Sequence, residues 1–221
     1  SLMKRWQHSD RRLAFLFQAL KQLRVAISEL GGTLVVASGK PEMVLPAFIN
    51  RFEVDRIFVN RGYSPFGRNQ DQMLENLTRE MNIGFVALDD AHLNPPPSVL
   101  KGDGTPYTIF TPYFRKAATF AVMPPVTLEK GELLYAEESD SWPAELNKYL
   151  EIHVPRFEPG EAGALKALAS MSSLTKYDEQ RDIPASEHTS YLSGHLRFGT
   201  CSARQVHAAV RKSLADDHPI I

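Results

Sequence analysis

Short β-branched, apolar runs alternate with helical stretches in the first half of the chain, and this alternation narrows the possible folds more than any other feature. Thr33-Leu34-Val35-Val36-Ala37-Ser38, Arg56-Ile57-Phe58-Val59-Asn60 and Gly84-Phe85-Val86-Ala87-Leu88 each have the length and composition of a strand. Between the first two, Pro41 stands where it can open a helix whose inner face is Val44, Leu45, Phe48, Ile49 and Phe52. Between the last two, Met73, Leu74, Leu77 and Met81 recur at helical spacing and predict a helix from about Gln70 to Met81. Strands that alternate with helices pair in parallel and are covered on both faces, so a Rossmann-like layer is expected. Ahead of it, Leu13, Leu16, Leu20, Leu23, Ile27 and Leu30 mark one face of a long helix, capped by Ser9 and stopped by Gly31-Gly32.

The second half is punctuated differently. Asp103-Gly104 signals a tight turn, and with Thr108-Ile109-Phe110 behind it a hairpin is expected, followed by Tyr113, Phe114 and Arg115 on a surface helix. Residues 122–158 carry many prolines, little periodicity and the acidic run Glu137-Glu138-Ser139-Asp140, which reads as a long surface connection. Phe157-x-Pro159-Gly160-Glu161-Ala162 then opens a helix over Ala164, Leu165 and Leu168, and a last helix spans Ser202 to Leu214. Between them, Thr189-Ser190-Tyr191-Leu192-Ser193 reads as a turn entering a helix, with three hydroxyls close to backbone amides. Such a turn serves either as a helix cap or as a cradle for an anionic phosphate.

Composition removes several function classes. A chain of 221 residues with 43% hydrophobic and 23% charged residues suits a soluble protein of one large or two small domains. A formal charge of −1 argues against a strongly basic nucleic-acid-binding body. No apolar run reaches membrane-spanning length and no secretory pattern stands at the start, so a cytoplasmic location without a membrane partner is expected. Cys201 is the single cysteine, which excludes an intramolecular disulfide, and the seven histidines show no metal-ligand spacing, so no metal is expected. Gly39-Lys40 lacks the rest of a phosphate loop, Gly102-x-Gly104 lacks its strand and third glycine, and there is no Gly-x-Ser-x-Gly elbow.

Four blocks in sequence order resemble the DNA photolyase and cryptochrome family. They are Asn60-x-x-Tyr63-x-Pro65-Phe66-x-Arg68-x-x-Asp71, the stretch Gly102 to Arg115, Phe157-x-Pro159-Gly160-Glu161-Ala162, and the run from Tyr177 through Arg181-Asp182 and Thr189-Ser190-x-Leu192-Ser193 to Arg204. The resemblance implies an α/β fold, a Rossmann-like parallel sheet incomplete at its N-terminal side, followed by the first helices of an all-α FAD-binding domain. The implied divisions are residues 1–121, a connection over 122–158, and 159–221. In that family the Thr-Ser-x-Leu-Ser turn holds the FAD diphosphate, so the implied cofactor-binding set is Tyr177, Thr189, Ser190, Tyr191, Leu192 and Ser193. Tyr191 and Gly194 depart from the family pattern, which often has a basic or small residue and a proline there, but neither change removes a hydroxyl.

The implied parent activity is light-dependent splitting of cyclobutane pyrimidine dimers in damaged DNA by electron transfer from reduced FAD. No catalytic residue can be assigned within this stretch. The acidic residue that holds a folate antenna in some members aligns at or near Gly67, where there is no carboxylate, so the antenna chromophore is left unassigned. The family's first strand, from the middle of its sheet, and the helices that enclose the flavin ring are not in this sequence. The expectation is therefore that the isolated chain neither retains FAD nor repairs DNA, and that it self-associates through exposed sheet edges or faces. The alternatives are a cryptochrome-like blue-light photoreceptor, a non-catalytic remnant acting through protein contacts, or a generic nucleotide-binding α/β protein.

Overall fold

The computed structural model describes residues 10–126, 133, 142–186 and 188–213. In chain order the elements are α1 (Asp10–Glu29), α2 (Pro41–Arg51), β1 (Arg56–Asn60), α3 (Pro65–Glu80), β2 (Gly84–Leu88), α4 (Phe110–Ala117), α5 (Gly160–Ala169), the single turn α6 (Tyr177–Gln180), α7 (Ser193–Phe198) and α8 (Ala203–Ser213). Short 3₁₀ turns occur at Pro96–Ser98, Ala144–Tyr149 and Ser170–Ser173. Two compact units result, one of residues 37–123 and one formed by the chain on either side of them. Ser9, Leu214 and the run Glu137 to Asp140 lie outside the described residues.

The unit 37–123 is built on β1 and β2, which pair in parallel from Arg56 opposite Gly84 to Asn60 opposite Leu88, with α3 as the crossover packed on β2. This is the α/β layer that the alternation of periods predicts, with a smaller sheet. Thr33–Ser38 does not form a strand, and among the described residues the sheet has two strands. Val36 instead packs against the apolar cluster around Leu13 and Tyr149, so burial against a helix takes the place of ladder bonding. The sheet is not covered on both faces either: Phe58, on the outward face of β1, is 61% exposed.

Helix α3 starts at Pro65 rather than near Gln70. Ser64 caps it, its side chain accepting the Gly67 N–H at 3.0 Å, and Pro65 brings a φ already suited to the first turn. The apolar stripe that predicts the helix begins only at Met73, about two turns later, which is why the pattern places the start too late. Asp103-Gly104 does make its turn: Gly104 has φ +79°, Asp103 accepts from the Thr105 amide at 2.9 Å, and Leu100 bridges Pro106 in antiparallel fashion. The hairpin goes no further, because Phe110 opens α4 where a strand residue is expected.

In the flanking unit, α1 is the central element. Its first half is buried on two sides rather than one, with Leu13, Ala14, Phe15, Phe17 and Ala19 all inside, whereas Leu23, on the predicted face, is 46% exposed. One side meets the 3₁₀ turn Ala144–Tyr149, where Phe17 stacks on Tyr149 with centroids 5.3 Å apart. Leu146 and Tyr149, within the stretch read as a surface connection, are buried there. The Gln18 side-chain amide donates to the Tyr149 and Ile152 carbonyls at 3.1 and 2.8 Å, and that of Gln22 to the Pro159 carbonyl at 2.8 Å. The other side meets α5, whose far face joins a second core of Leu168, Met171, Leu174, Leu192, Cys201 and Val210. No helix among the described residues is long and apolar enough to cross a membrane.

Candidate functional site

The turn 189–193 is fixed from beneath. Leu192 is 2% exposed and sits in the second core, while Tyr191 just before it takes a left-handed φ of +50°. A non-glycine residue adopts that conformation at a cost of order 1 kcal/mol or more, which surrounding packing must offset. Leu192 provides that anchor, and its carbonyl accepts the Leu196 N–H at 2.8 Å as α7 begins. The backbone is thereby turned so that Thr189, Ser190 and Tyr191 face one cavity.

That cavity, of about 420 Å³, is lined by Thr189 and Ser190 together with Arg156, Lys166, Ser170 and Ser173. Arg156 has no ion-pair partner among the described residues, and Lys166 lies 3.2 Å from Glu158 in an exposed pair. The Glu158 carboxylate lines the same cavity, so Arg156 and the hydroxyls are the groups free to meet a phosphate-bearing ligand, and hydrogen bonds to such a charged acceptor are stronger than neutral ones. The expected residues do not all meet here. Leu192 is inside the core, and Ser193 lines a different cavity beside Arg197. Tyr177 packs half-buried against the second core, with the Arg181 guanidinium 5.8 Å from its ring centroid. Arg156 and Lys166 were not legible as site residues. The one signal available is that Arg156 immediately precedes the Phe157-x-Pro159-Gly160 block.

His195, on α7, is 2% exposed. Its Nδ1 shares a 2.8 Å hydrogen bond with the Thr200 hydroxyl, and its ring meets those of Phe15 and Phe157 at 5.3 and 6.4 Å. Burial holds its pKa below the ordinary 6.5, with the charge of Glu158 partly opposing that. The folded chain therefore keeps this imidazole neutral where the unfolded chain binds a proton. Stability should fall as pH drops below about 6.5 and level off once the folded-state pKa is passed. Urea midpoints measured from pH 7.5 to 5 should show this slope, and His195→Gln, which cannot titrate, should flatten it.

A second polar cluster sits in the other unit, at the carboxyl ends of the two strands. Arg61 Nε donates to Asp89 at 3.0 Å, the Tyr63 hydroxyl donates to the same carboxylate, and the Gly62 amide donates to Asp71 at 2.8 Å. The Tyr63 hydroxyl group is held above its usual pKa by burial and then by Asp89, whose own pKa is lowered chiefly by that hydrogen bond. Gly67 lies so close to Gly62 that a side chain there would meet the Gly62 backbone at 2.8 Å. Among the described residues no group of His, Cys, Asp or Glu is placed to hold a metal ion.

Comparison with known proteins decides the family. Residues 2–129, more than half of the chain, match the family model described as DNA photolyase. This chain belongs to the DNA photolyase family. The photolyase-family chain is 30% identical over 213 residues to the deoxyribodipyrimidine photo-lyase of Halobacterium salinarum, covering 93% of this chain and 44% of that protein. Its fold superposes on a bacterial class III photolyase from Agrobacterium tumefaciens with a TM-score of 0.81 at 28% identity, covering 94% of this chain and 46% of the other. An archaeal photolyase from Sulfolobus tokodaii, solved with two FAD molecules, gives a TM-score of 0.76 at 27% identity, with coverage of 94% and 45%. The photolyase-family chain thus spans less than half the length of these relatives.

Proposed function

We propose that this chain carries the diphosphate-binding part of a light-dependent DNA repair flavoprotein. The observation that supports this most directly is the cavity in which Thr189 and Ser190 meet Arg156 and Lys166. Its donors fit the pyrophosphate of FAD: two hydroxyls to hydrogen-bond oxygen, and Arg156 to offset its charge, with Lys166 able to join only by leaving Glu158. Ser193 and Tyr177 belong to the same assignment, Ser193 at the entry of α7 and Tyr177 at the edge of the core beneath. Residues 159–221 are then the opening helices of the flavin domain, and 1–121 and 122–158 the α/β part and its connection.

FAD, when bound in the complete protein, supplies the electron that splits a cyclobutane pyrimidine dimer in damaged DNA. The residues of this chain hold and orient the diphosphate and do not touch the reacting bonds. The isolated chain should be colourless after purification and should leave dimers intact under blue light. Titrated FAD should still bind more tightly than riboflavin, which lacks the diphosphate. In calorimetry, Thr189→Val with Ser190→Ala should weaken FAD by roughly tenfold or more, as expected for two lost bonds to a charged group. Equal affinities for FAD and riboflavin would sink the assignment.

A further inference from the structure

We infer, resting on the flavin-phosphate reading of the cavity beside Thr189, that His195 is a further binding residue there: its Nε2 donates to a phosphate oxygen of the bound group, and the ring takes up a proton as that group arrives. His195 lines the same cavity as Thr189, Ser190 and Arg156. It is buried, and its Nδ1 is occupied by the Thr200 hydroxyl at 2.8 Å. Its other ring nitrogen, Nε2, has no hydrogen-bond partner among the described residues. A buried polar atom left in that state carries the full cost of its lost hydration, and native proteins complete nearly all such atoms with a protein group, a water or a ligand. The Thr200 hydroxyl both donates and accepts, so it serves Nδ1 whether the ring is neutral or charged. In the charged ring both nitrogens donate, Nδ1 to Thr200 and Nε2 into the cavity.

The charges around the ring set the direction of the effect. The loop before α5 brings Glu158, whose carboxylate favours the protonated ring, and Arg156; α5 brings Lys166, and the turn 189–193 brings Tyr191. Helix α1 meets the ring with Phe15, whereas Arg11, Arg12 and Arg197 line a different cavity. With Lys166 paired to Glu158, Arg156 is the one positive charge in excess among the described lining residues, against two negative charges on a diphosphate. A proton on His195 supplies the second. Burial keeps the ring neutral in the free chain, and an anion brought within hydrogen-bonding reach reverses that preference.

The test follows the His195 ring by NMR in the full chain with labelled histidine, its signals identified by their absence in His195→Gln and by their contacts to Phe15. FAD and inorganic pyrophosphate should each raise the titration midpoint of the ring and bring up an Nε2–H signal, and riboflavin should do neither. In calorimetry FAD should bind about fivefold more tightly at pH 5.5 than at pH 7.5, with riboflavin unchanged, because a group whose pKa rises on binding draws in a proton. His195→Gln, which donates but does not titrate, should keep most of the FAD affinity at pH 7.5 and lose its pH dependence, and His195→Phe should weaken FAD by about tenfold at pH 5.5. A ring that responds to neither FAD nor pyrophosphate overturns the inference, as does a pH dependence that survives in His195→Gln. If FAD outbinds riboflavin while the ring stays unmoved, the flavin assignment stands and His195 is a core residue alone. If FAD and riboflavin bind alike while pyrophosphate still shifts the ring, the flavin assignment falls and the phosphate contact stands.

Discussion

Gly163→Ala should destabilise the helical unit by about 3 kcal/mol or more, although the same change in an exposed helix gains about 1 kcal/mol. A methyl group at Gly163 would stand 1.8 Å from the Glu158 carbonyl oxygen and 2.6 Å from its carbon, both backbone atoms. Neither can swing aside as a side chain would, because Glu158 leads directly into Pro159, whose carbonyl is held by Gln22. The clash therefore outweighs the propensity gain, and the start of α5 must move off α1. Urea denaturation should show a midpoint lowered by roughly 1 M or more. Gly102→Ala is the control: nothing lies within 4 Å of its added carbon, and its effect should stay within about 0.5 kcal/mol. A stabilised Gly163→Ala would mean that the turn before α5 is not as described.

Leu192→Ala should cost about 2–5 kcal/mol, the range for emptying a well-packed leucine site. Its side chain is enclosed by Ala164, Leu168, Met171, Leu174, Cys201 and Val210, drawn from α5, α8, the 3₁₀ turn Ser170–Ser173 and two loop positions, which have no common reason to move inward. The same change should weaken FAD, though it removes no polar group, because Tyr191 holds its left-handed backbone only while Leu192 is seated. Leu192→Met keeps the volume and should cost less than about 1.5 kcal/mol, with FAD affinity near that of the parent chain. If Leu192→Ala unfolds the chain at room temperature, the methionine variant and a valine variant still order the effect by volume. Retained FAD affinity in a folded Leu192→Ala chain would show that the turn does not depend on its anchor.

The parts of this fold that the sequence makes legible are those where local pattern and tertiary burial agree. Arg56–Asn60, the Met73–Leu77–Met81 stripe and Gly84–Leu88 switch between periods of two and about 3.6, and they become β1, α3 and β2. Thr33–Ser38 has strand composition but no ladder, since β-propensity is only a preference for a pleated, half-buried surface and says nothing about whether a neighbour is present. Leu23 satisfies the helical stripe yet faces solvent, whereas Phe15 and Phe17 lie off it and are buried, because α1 has packing partners on two sides. At the candidate site the hydroxyls were visible as a compact motif. Arg156 and Lys166 were not, because they reach the cavity from a loop and a helix distant in sequence, and no spacing rule joins them to residue 189.

The partners of α1 come late. Gln18 bonds carbonyls 131 and 134 positions further along the chain, and Gln22 one that is 137 positions away. During synthesis at about 5–20 residues per second, that interval is on the order of ten seconds. For that time Phe15 lacks Phe157 and Phe198, and Phe17 lacks Trp142 and Tyr149, while residues 37–123 can complete their own unit. A helix so placed is a natural client for a nascent-chain chaperone, and mutations that slow translation before residue 144 should lower the yield of folded protein without changing the stability of what survives.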